Sequence, residues 1–312
     1  MLSERRIATV FGASGFLGRY VVQRLADQGC IVRAAVRDTE SAKNLRPMGV
    51  VGQVVPLYAP LSQEALVARA IEGAEIVINL AGILAESRKG DFSRTHAEGA
   101  GRVARLARAG GAKLAHVSAI GANPASPSVY ARSKGEGEQA VRSAHEDAAI
   151  LRPSIVFGPE DQFFNRFAKM AVASPVLPLV YSETKFQPVY VCDVADAVIA
   201  ALGPAGHGKL FELGGPEQKS FRALIEQMLA IIERKPRIWN MPVGLARLIA
   251  NIPFSGLTGD QITLLASDNV VTPGMPGLEA LGVRPTRMDL VLPAYLARYR
   301  VSGRRHSDVF NE

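Results

Sequence analysis

The chain has 312 residues, 48% of them hydrophobic and 21% charged, enough for one large α/β domain or a domain with a smaller lobe. No apolar run reaches the ~18 residues of a membrane span, because the greasiest stretch, 243–257, is broken by Arg247, Asn251 and Pro253. The net charge of +7 suits anionic partners, nucleotide phosphate and anionic lipid headgroups among them, whereas basic residues are not interleaved with aromatics as single-strand nucleic-acid platforms require.

No nucleic-acid partner is therefore expected. No signal-peptide pattern precedes the first strand, so the chain is expected to start in its mature compartment. Cys30 and Cys192 lie far apart in apolar, strand-like contexts and are expected as buried free thiols. The five histidines show no ligand spacing with the cysteines or with each other, so no metal is expected.

In chain order, the β-type run Ile7–Phe11 leads into Gly12-Ala13-Ser14-Gly15-Phe16-Leu17-Gly18, and Leu17, Tyr20, Val21 and Leu25 follow at helical spacing. Strand, glycine loop and helix in that order make a phosphate-binding turn. The glycines let the backbone approach a pyrophosphate, and the helix N-terminus then faces the anion with free N–H groups. The spacing is Gly-x-x-Gly-x-x-Gly, not the commoner Gly-x-Gly-x-x-Gly.

The next strand, Ile31–Val36, ends at Arg37, about where a dinucleotide fold meets the adenosine ribose. An acid there selects the 2′-hydroxyl, whereas an arginine pairs with a 2′-phosphate. Arg37, with Arg19 and Lys43 as helpers, thus points to NADP(H), with NADPH the expected form, although Asp38 stands one residue on.

A third strand is read near Gln53-Val54-Val55, a helix over 63–72, and a fourth strand that runs through Asn79 into Leu80-Ala81-Gly82, small enough to pass beneath a cofactor. The spacing predicts a helix over 96–109, with Arg102, Arg105 and Arg108 on one solvated face. The fifth strand ends at Ser118, Tyr130 and Lys134 open a further helix, and the sixth strand ends at Pro153. This alternation dictates a doubly wound parallel Rossmann sheet over 1–156. From 157 to 312 repeated prolines break the pattern into a smaller, irregular lobe that returns in part to the sheet at about 186–215.

Tyr130 and Lys134 stand one helical turn apart, so the ammonium is expected to lower the phenol pKa, with Ser118 sharing the same substrate oxygen. Such a trio moves protons beside a nicotinamide. The same residues resemble the short-chain dehydrogenase/reductase superfamily in its extended and atypical branches, with Gly12, Gly15, Gly18, Leu80-Ala81-Gly82, Ser118, Tyr130 and Lys134 in family order. Two positions depart. His96 stands where many relatives carry asparagine, and no acid follows the third strand in Pro56-Leu57-Tyr58-Ala59-Pro60.

Longer blocks sharpen the resemblance: 151–167, 186–195, 211–217, 257–261 and 267–271. They are similar to one branch, the nucleotide-binding accessory subunits of respiratory complex I (NADH:ubiquinone oxidoreductase). That resemblance implies an assembly subunit holding an NADPH outside the electron-transfer chain. It also implies a peripheral position on the inner membrane, on the peripheral arm near the quinone site, with other complex I subunits as partners. The side would be cytoplasmic in a bacterium and matrix in a mitochondrion. By the same resemblance Ser118, Tyr130, Lys134 and Pro153 would hold the cofactor together with Ser14, Phe16 and Leu17 of the loop. The other reading of the intact trio is a free NADP-dependent reductase or a nucleotide-sugar epimerase. Segment 243–250 has apolar residues at helical spacing and fits either an anionic membrane surface or a packed lobe helix.

Overall fold

The computed structural model describes residues 6–250 and 258–300, so residues 251–257, with Leu257 at the head of one of the resemblance blocks, lie outside them. The elements that carry the dinucleotide pattern are β1 (Ile7–Phe11), α1 (Phe16–Asp27), β2 (Ile31–Val36), β3 (Val54–Tyr58), α2 (Glu64–Ile71), β4 (Ile76–Asn79), α3 (Gly99–Ala109), β5 (Lys113–Val117), α4 (Val129–Ala144) and β6 (Ala149–Pro153). There follow β7 (Val156–Phe157), α5 (Phe164–Ala173), β8 (Val176–Leu179), β9 (Lys185–Phe186), β10 (Val189–Tyr190), α6 (Val191–Ala200) and β11 (Leu210–Leu213). The last are β12 (Lys219–Ser220), α7 (Phe221–Ile231), β13 (Arg237–Asn240), α8 (Val243–Ala250), α9 (Gly259–Leu265) and α10 (Met288–Leu296).

The described residues divide into two compact units. The first takes 6–153, Val191–Leu213 and Val271–Arg284. It is built on a seven-stranded sheet in the order β11-β6-β5-β4-β1-β2-β3, every pair parallel. The strand order reverses between β1 and β4, and the crevice beyond the strand ends at such a switch point is where doubly wound sheets bind ligands. Strand β4 is buried along its whole length, as expected for a central parallel strand covered on both faces. Phe11, Val77, Leu114 and Ile150 pack with Val103 and Ala107 of α3 into one core cluster.

Two predicted boundaries shift for physical reasons. The third strand runs to Tyr58 and contains Pro56, which is tolerated because β3 is the edge of the sheet and needs no donor on its outer side. The helix predicted over 96–109 begins instead with a π-helical turn, Ser93–Glu98, and becomes α-helical only at Gly99. Its arginines are paired rather than merely solvated. Arg105 bonds Glu64 at 2.8 Å, Arg108 bonds Asp147 at 2.6 Å, and Arg102 donates to the Leu61 carbonyl. Cys30 is a buried free thiol, but Cys192 lies in the first turn of α6, not in a strand, and is only half-buried.

The second unit takes Ser154–Tyr190, 214–250, 258–270 and 285–300. Its core gathers Phe157, Phe164, Phe186 and Phe221, with Phe163 and Phe167 against them, and with Leu292 and Leu296 of α10. Asp161 ties this unit together. It accepts the Tyr295 hydroxyl at 2.5 Å and the amides of Gly158 and Asn165 at 3.2 Å each, and its burial pushes the carboxyl above the usual carboxylate range. Asn269 likewise accepts the Ser154 hydroxyl at 2.7 Å and bridges to Phe186. Helix α8 buries Ala246 against Val180 and Ile262 and exposes Leu248 on its other side.

Candidate functional site

The first unit assembles the site from the ends of β1, β2, β4 and β5 and the start of α4. Gly12 leaves β1 at φ +78°, a left-handed conformation that favours glycine. A Cβ there would also stand 3.0 Å from the carbonyl of Leu80. Gly18 sits one turn into α1, where a Cβ would meet the Gly12 carbonyl at 2.3 Å, so this glycine lets the helix close on its own loop. Gly15 is different. It is exposed, it caps α1 without a side-chain bond, and a Cβ would meet only the Gly12 carbonyl, at 3.1 Å. No acidic residue occupies the first turn of α1, so the amides of Ser14, Phe16 and Leu17 mark a positive helix end, whereas the Gly15 amide donates to the Gly12 carbonyl at 3.0 Å.

Arg37 follows β2 directly and is exposed, and its side chain makes no hydrogen bond or ion pair with any described residue. The Gly12 amide bonds Ala35 at 3.3 Å, which ties the glycine loop to the same strand end. Lys43, expected as a helper, is held by Glu40. Asp38 accepts the Glu40 amide at 2.9 Å and so shapes the turn after Arg37. Arg19 is half-buried in α1.

Beyond β4, Asn79 folds back to accept the Ala81 amide at 3.1 Å and fixes the Leu80-Ala81-Gly82 turn beside Gly12. Its amide nitrogen lies 3.2 Å from His116 Nδ1, its register partner on β5. His116 is buried and its Nε2 has no partner among the described residues. Burial, with the Lys134 charge second, lowers its pKa to about 3, so the imidazole is neutral at neutral pH. Ser118, two residues on, is buried with its Oγ equally unpartnered.

Lys134 is buried in α4 and donates to the Val117 carbonyl at 3.3 Å. A Cβ on Gly82 would lie 3.3 Å from its Nζ and 3.6 Å from His96 Nε2, which brings the β4 turn, the lysine and His96 together. Desolvation lowers the Lys134 pKa to about 8, with Glu138 acting in the opposite sense. The expected drop in the Tyr130 phenol pKa is not what the structure gives. Burial pushes it up to about 12, through desolvation of the phenolate, with no opposing lowering from Lys134.

His96, which departs from the asparagine of many relatives, has a definite place in the structure. The π-helical turn carries it inward, where it accepts the Ile83 amide through Nε2 at 3.0 Å, so Nδ1 carries the proton and donates to Ser133 Oγ at 2.9 Å. Ser133 in turn donates to the Tyr130 carbonyl at 2.8 Å. The ring stacks on Phe92 and stands edge-on to Tyr130, centroids 5.5 Å apart. Burial lowers its pKa to about 3, which keeps the proton pattern fixed. Gly137 permits the approach, since a Cβ there would strike the His96 carbonyl at 2.0 Å. A polar residue inside an otherwise apolar strand was the available signal for Asn79 and His116. Pro153 ends β6, buried, and its carbonyl accepts the Ile120 amide at 3.1 Å just past Ser118. Among the described residues no cluster of three metal-binding side chains occurs.

A dinucleotide fits these residues: amides at the start of α1 offer donors to a pyrophosphate, Arg37 offers a cation, and Ser118 Oγ is a buried polar atom that lacks a partner among the described residues. The chain matches the NAD dependent epimerase/dehydratase family over residues 8–214. It is 35% identical to NADH dehydrogenase (ubiquinone) 1 alpha subcomplex subunit 9, mitochondrial, of Arabidopsis thaliana, an alignment covering 98% of this chain and 81% of that one. It is 32% identical to a ceramide reductase of Caulobacter vibrioides over 76% of this chain and 74% of that one. Its fold superposes on an NADPH-dependent quinone oxidoreductase of Escherichia coli in complex with NADPH with a TM-score of 0.72 at 20% identity, covering 93% of this chain and 99% of the other.

Proposed function

The chain belongs to the NAD dependent epimerase/dehydratase family and, within it, to the family of NADH dehydrogenase (ubiquinone) 1 alpha subcomplex subunit 9, and from that premise we propose that it is an accessory subunit of respiratory complex I carrying a tightly bound, non-catalytic NADPH. The observation that carries the reading is the 35% identity to a complex I subunit over 98% of this chain. In this reading the subunit sits on the peripheral arm near the quinone site and binds neighbouring subunits of that arm. It is peripheral on the inner membrane, on the cytoplasmic side in a bacterium or the matrix side in a mitochondrion. No described helix is long and apolar enough to cross a membrane. The exposed Leu245, Arg247 and Leu248 of α8 offer anionic lipid headgroups an amphipathic contact.

A nicotinamide dinucleotide can donate a hydride, but in this reading it is held without transferring one. The chain's residues would bind and orient it. The amides at the start of α1 take the pyrophosphate, Arg37 takes the 2′-phosphate, and Tyr130 and Lys134 take the nicotinamide ribose. Leu80, Ala81 and Gly82 pass beneath it. A nucleotide that binds only the folded chain adds RT ln(1 + [L]/Kd) to its stability and so clamps the fold.

One observation favours a second reading. Ser118 Oγ is buried and has no partner among the described residues, on the strand end beside Lys134, as a free NADP-dependent reductase or nucleotide-sugar epimerase would need for a substrate oxygen. Purification from native membranes, with identification of co-purifying proteins and of the acid-extracted nucleotide, decides between them. Co-purification with the NADH:quinone oxidoreductase and release of NADP(H) are expected. A soluble protein free of other subunits that turns over a carbonyl substrate would establish the second reading.

A further inference from the structure

Glu138 lies one helical turn beyond Lys134 on α4, and both side chains are buried. At that spacing a carboxylate is the natural counterion of the lysine. Yet among the described residues no carboxylate forms an ion pair with Lys134, because Arg152 takes Glu138 whole. Arg152 Nε reaches Oε1 at 2.8 Å and Nη2 reaches Oε2 at 2.6 Å, a two-point grip. Its Nη1 holds Glu212 at 3.3 Å, and the other oxygen of Glu212 accepts the Thr272 amide at 2.7 Å. Its Nη2 also donates to the Ala122 carbonyl at 3.2 Å, so four hydrogen bonds to three partners fix the guanidinium.

We propose that Arg152 is a positioning residue for Lys134: by gripping both oxygens of Glu138 it denies the buried ammonium the carboxylate one turn away. Held by Arg152, Glu138 still raises the Lys134 pKa from a distance but forms no ion pair with it, and the other titratable groups facing Lys134 add no negative charge. His96 from the π-helical turn and His116 from β5 are neutral imidazoles, and Tyr130 on α4 keeps its proton. Among the described residues Lys134 thus has one hydrogen bond, to the Val117 carbonyl, and its pKa falls to about 8. Where the lysine holds a nucleotide ribose, its grip on the nucleotide then weakens as pH rises through that range. This last consequence rests on the dinucleotide reading, whereas the electrostatic relation of Arg152, Glu138 and Lys134 does not.

The test is the titration of Lys134 in the full-length protein by NMR of ¹³Cε-labelled lysine, the signal assigned with Lys134→Arg. The wild-type midpoint is expected at about 8. Arg152→Met frees Glu138 to face Lys134 and should raise the midpoint by about one unit or more, the scale of an opposite charge a few ångströms away. Glu138→Gln should not raise it, and Arg152→Met should have no further raising effect in the Glu138→Gln background. An unchanged midpoint in Arg152→Met, or an equal rise with and without Glu138, overturns the proposal. Should Arg152→Met fail to fold, Arg152→Lys keeps the charge but loses the two-point grip. A midpoint above wild type then supports the proposal and an unchanged one overturns it. In parallel, NADPH affinity of the wild type is expected to fall above pH 8. Arg152→Met should move that fall upward by the same amount as the lysine midpoint. Failure of NADPH to bind at any pH would sink the dinucleotide reading while the lysine titration still decides the role of Arg152.

Discussion

The imidazole of His96 stands edge-on to the ring of Tyr130, centroids 5.5 Å apart and planes at 89°, while its two nitrogens bind the Ile83 amide and the Ser133 hydroxyl. One side chain thus joins the turn after β4, the start of α4 and the tyrosine that would face a nicotinamide ribose.

His96→Ala should therefore cost more than a surface substitution. It strands the Ile83 donor and removes a wall of the Tyr130 site, and a buried donor left without a partner costs about 1–3 kcal/mol. The midpoint of urea unfolding should fall accordingly, and nucleotide affinity with it. An unchanged midpoint would show that the ring is not a structural joint.

The two buried imidazoles make stability sensitive to acid. His96 and His116 titrate at about 3 in the folded chain but near the ordinary 6.5 when unfolded. Between those values the unfolded chain binds more protons, so the stability is fully present above pH 6.5 and is lost as pH falls toward 3. Each shift is of order several kcal/mol at most. The thermal midpoint should drop steadily from pH 7 to pH 5, and His116→Phe should flatten that slope. Parallel slopes for wild type and variant would contradict the burial argument.

The three glycines of the loop should fail in different ways. Gly15→Val puts a side chain where the pyrophosphate is to pass but meets little else, so the chain should fold and lose its nucleotide. Gly18→Ala drives a Cβ to 2.3 Å from the Gly12 carbonyl, so the loop itself must shift and stability should fall. Comparison of nucleotide content and melting curves separates the two. Equal melting of Gly18→Ala and wild type would contradict the close packing of α1 on its loop.

Arg37 has no partner among the described residues, so Arg37→Asp should leave unfolding of the nucleotide-free protein unchanged. It should weaken NADPH by roughly 1.5–3 kcal/mol, the scale of a hydrogen bond to a charged group, and NADH far less. Fluorescence titration with both nucleotides is the measurement. Equal losses for the two would mean that Arg37 does not meet a 2′-phosphate.

Much of this was legible in the sequence because local pattern and global fold agree. Strand β1, the glycine loop and helix α1 announce themselves by alternation, glycine spacing and helical period, and the strand ends at Arg37, Leu80 and Ser118 follow from the same alternation. The third strand reads short in the sequence, near Gln53-Val54-Val55, whereas β3 runs through Pro56 to Tyr58, which an edge strand tolerates, and edge position is a property of the whole sheet. The site's electrostatics were illegible for a similar reason. Tyr130 and Lys134 look like a phenol beside a cation, but burial acts on both and disfavours the charged form of each, and burial is set by β5, the π-helical turn and α4 together. The grip of Arg152 on Glu138 joins residues 14 apart on different elements and leaves no periodic trace.

The central claim is that Tyr130 holds a nucleotide and does not turn it over. Tyr130→Phe removes the phenolic proton and keeps the ring that packs on Phe92 and His96. The measurement is NADH:quinone activity in native membranes carrying that variant, beside the amount of subunit incorporated into the complex. Both are expected to stay near wild type, whereas loss of a general acid would cut turnover by about 10²–10⁴-fold. A collapse of quinone reduction with normal incorporation would contradict the account, because the bound nucleotide would then take part in the chemistry.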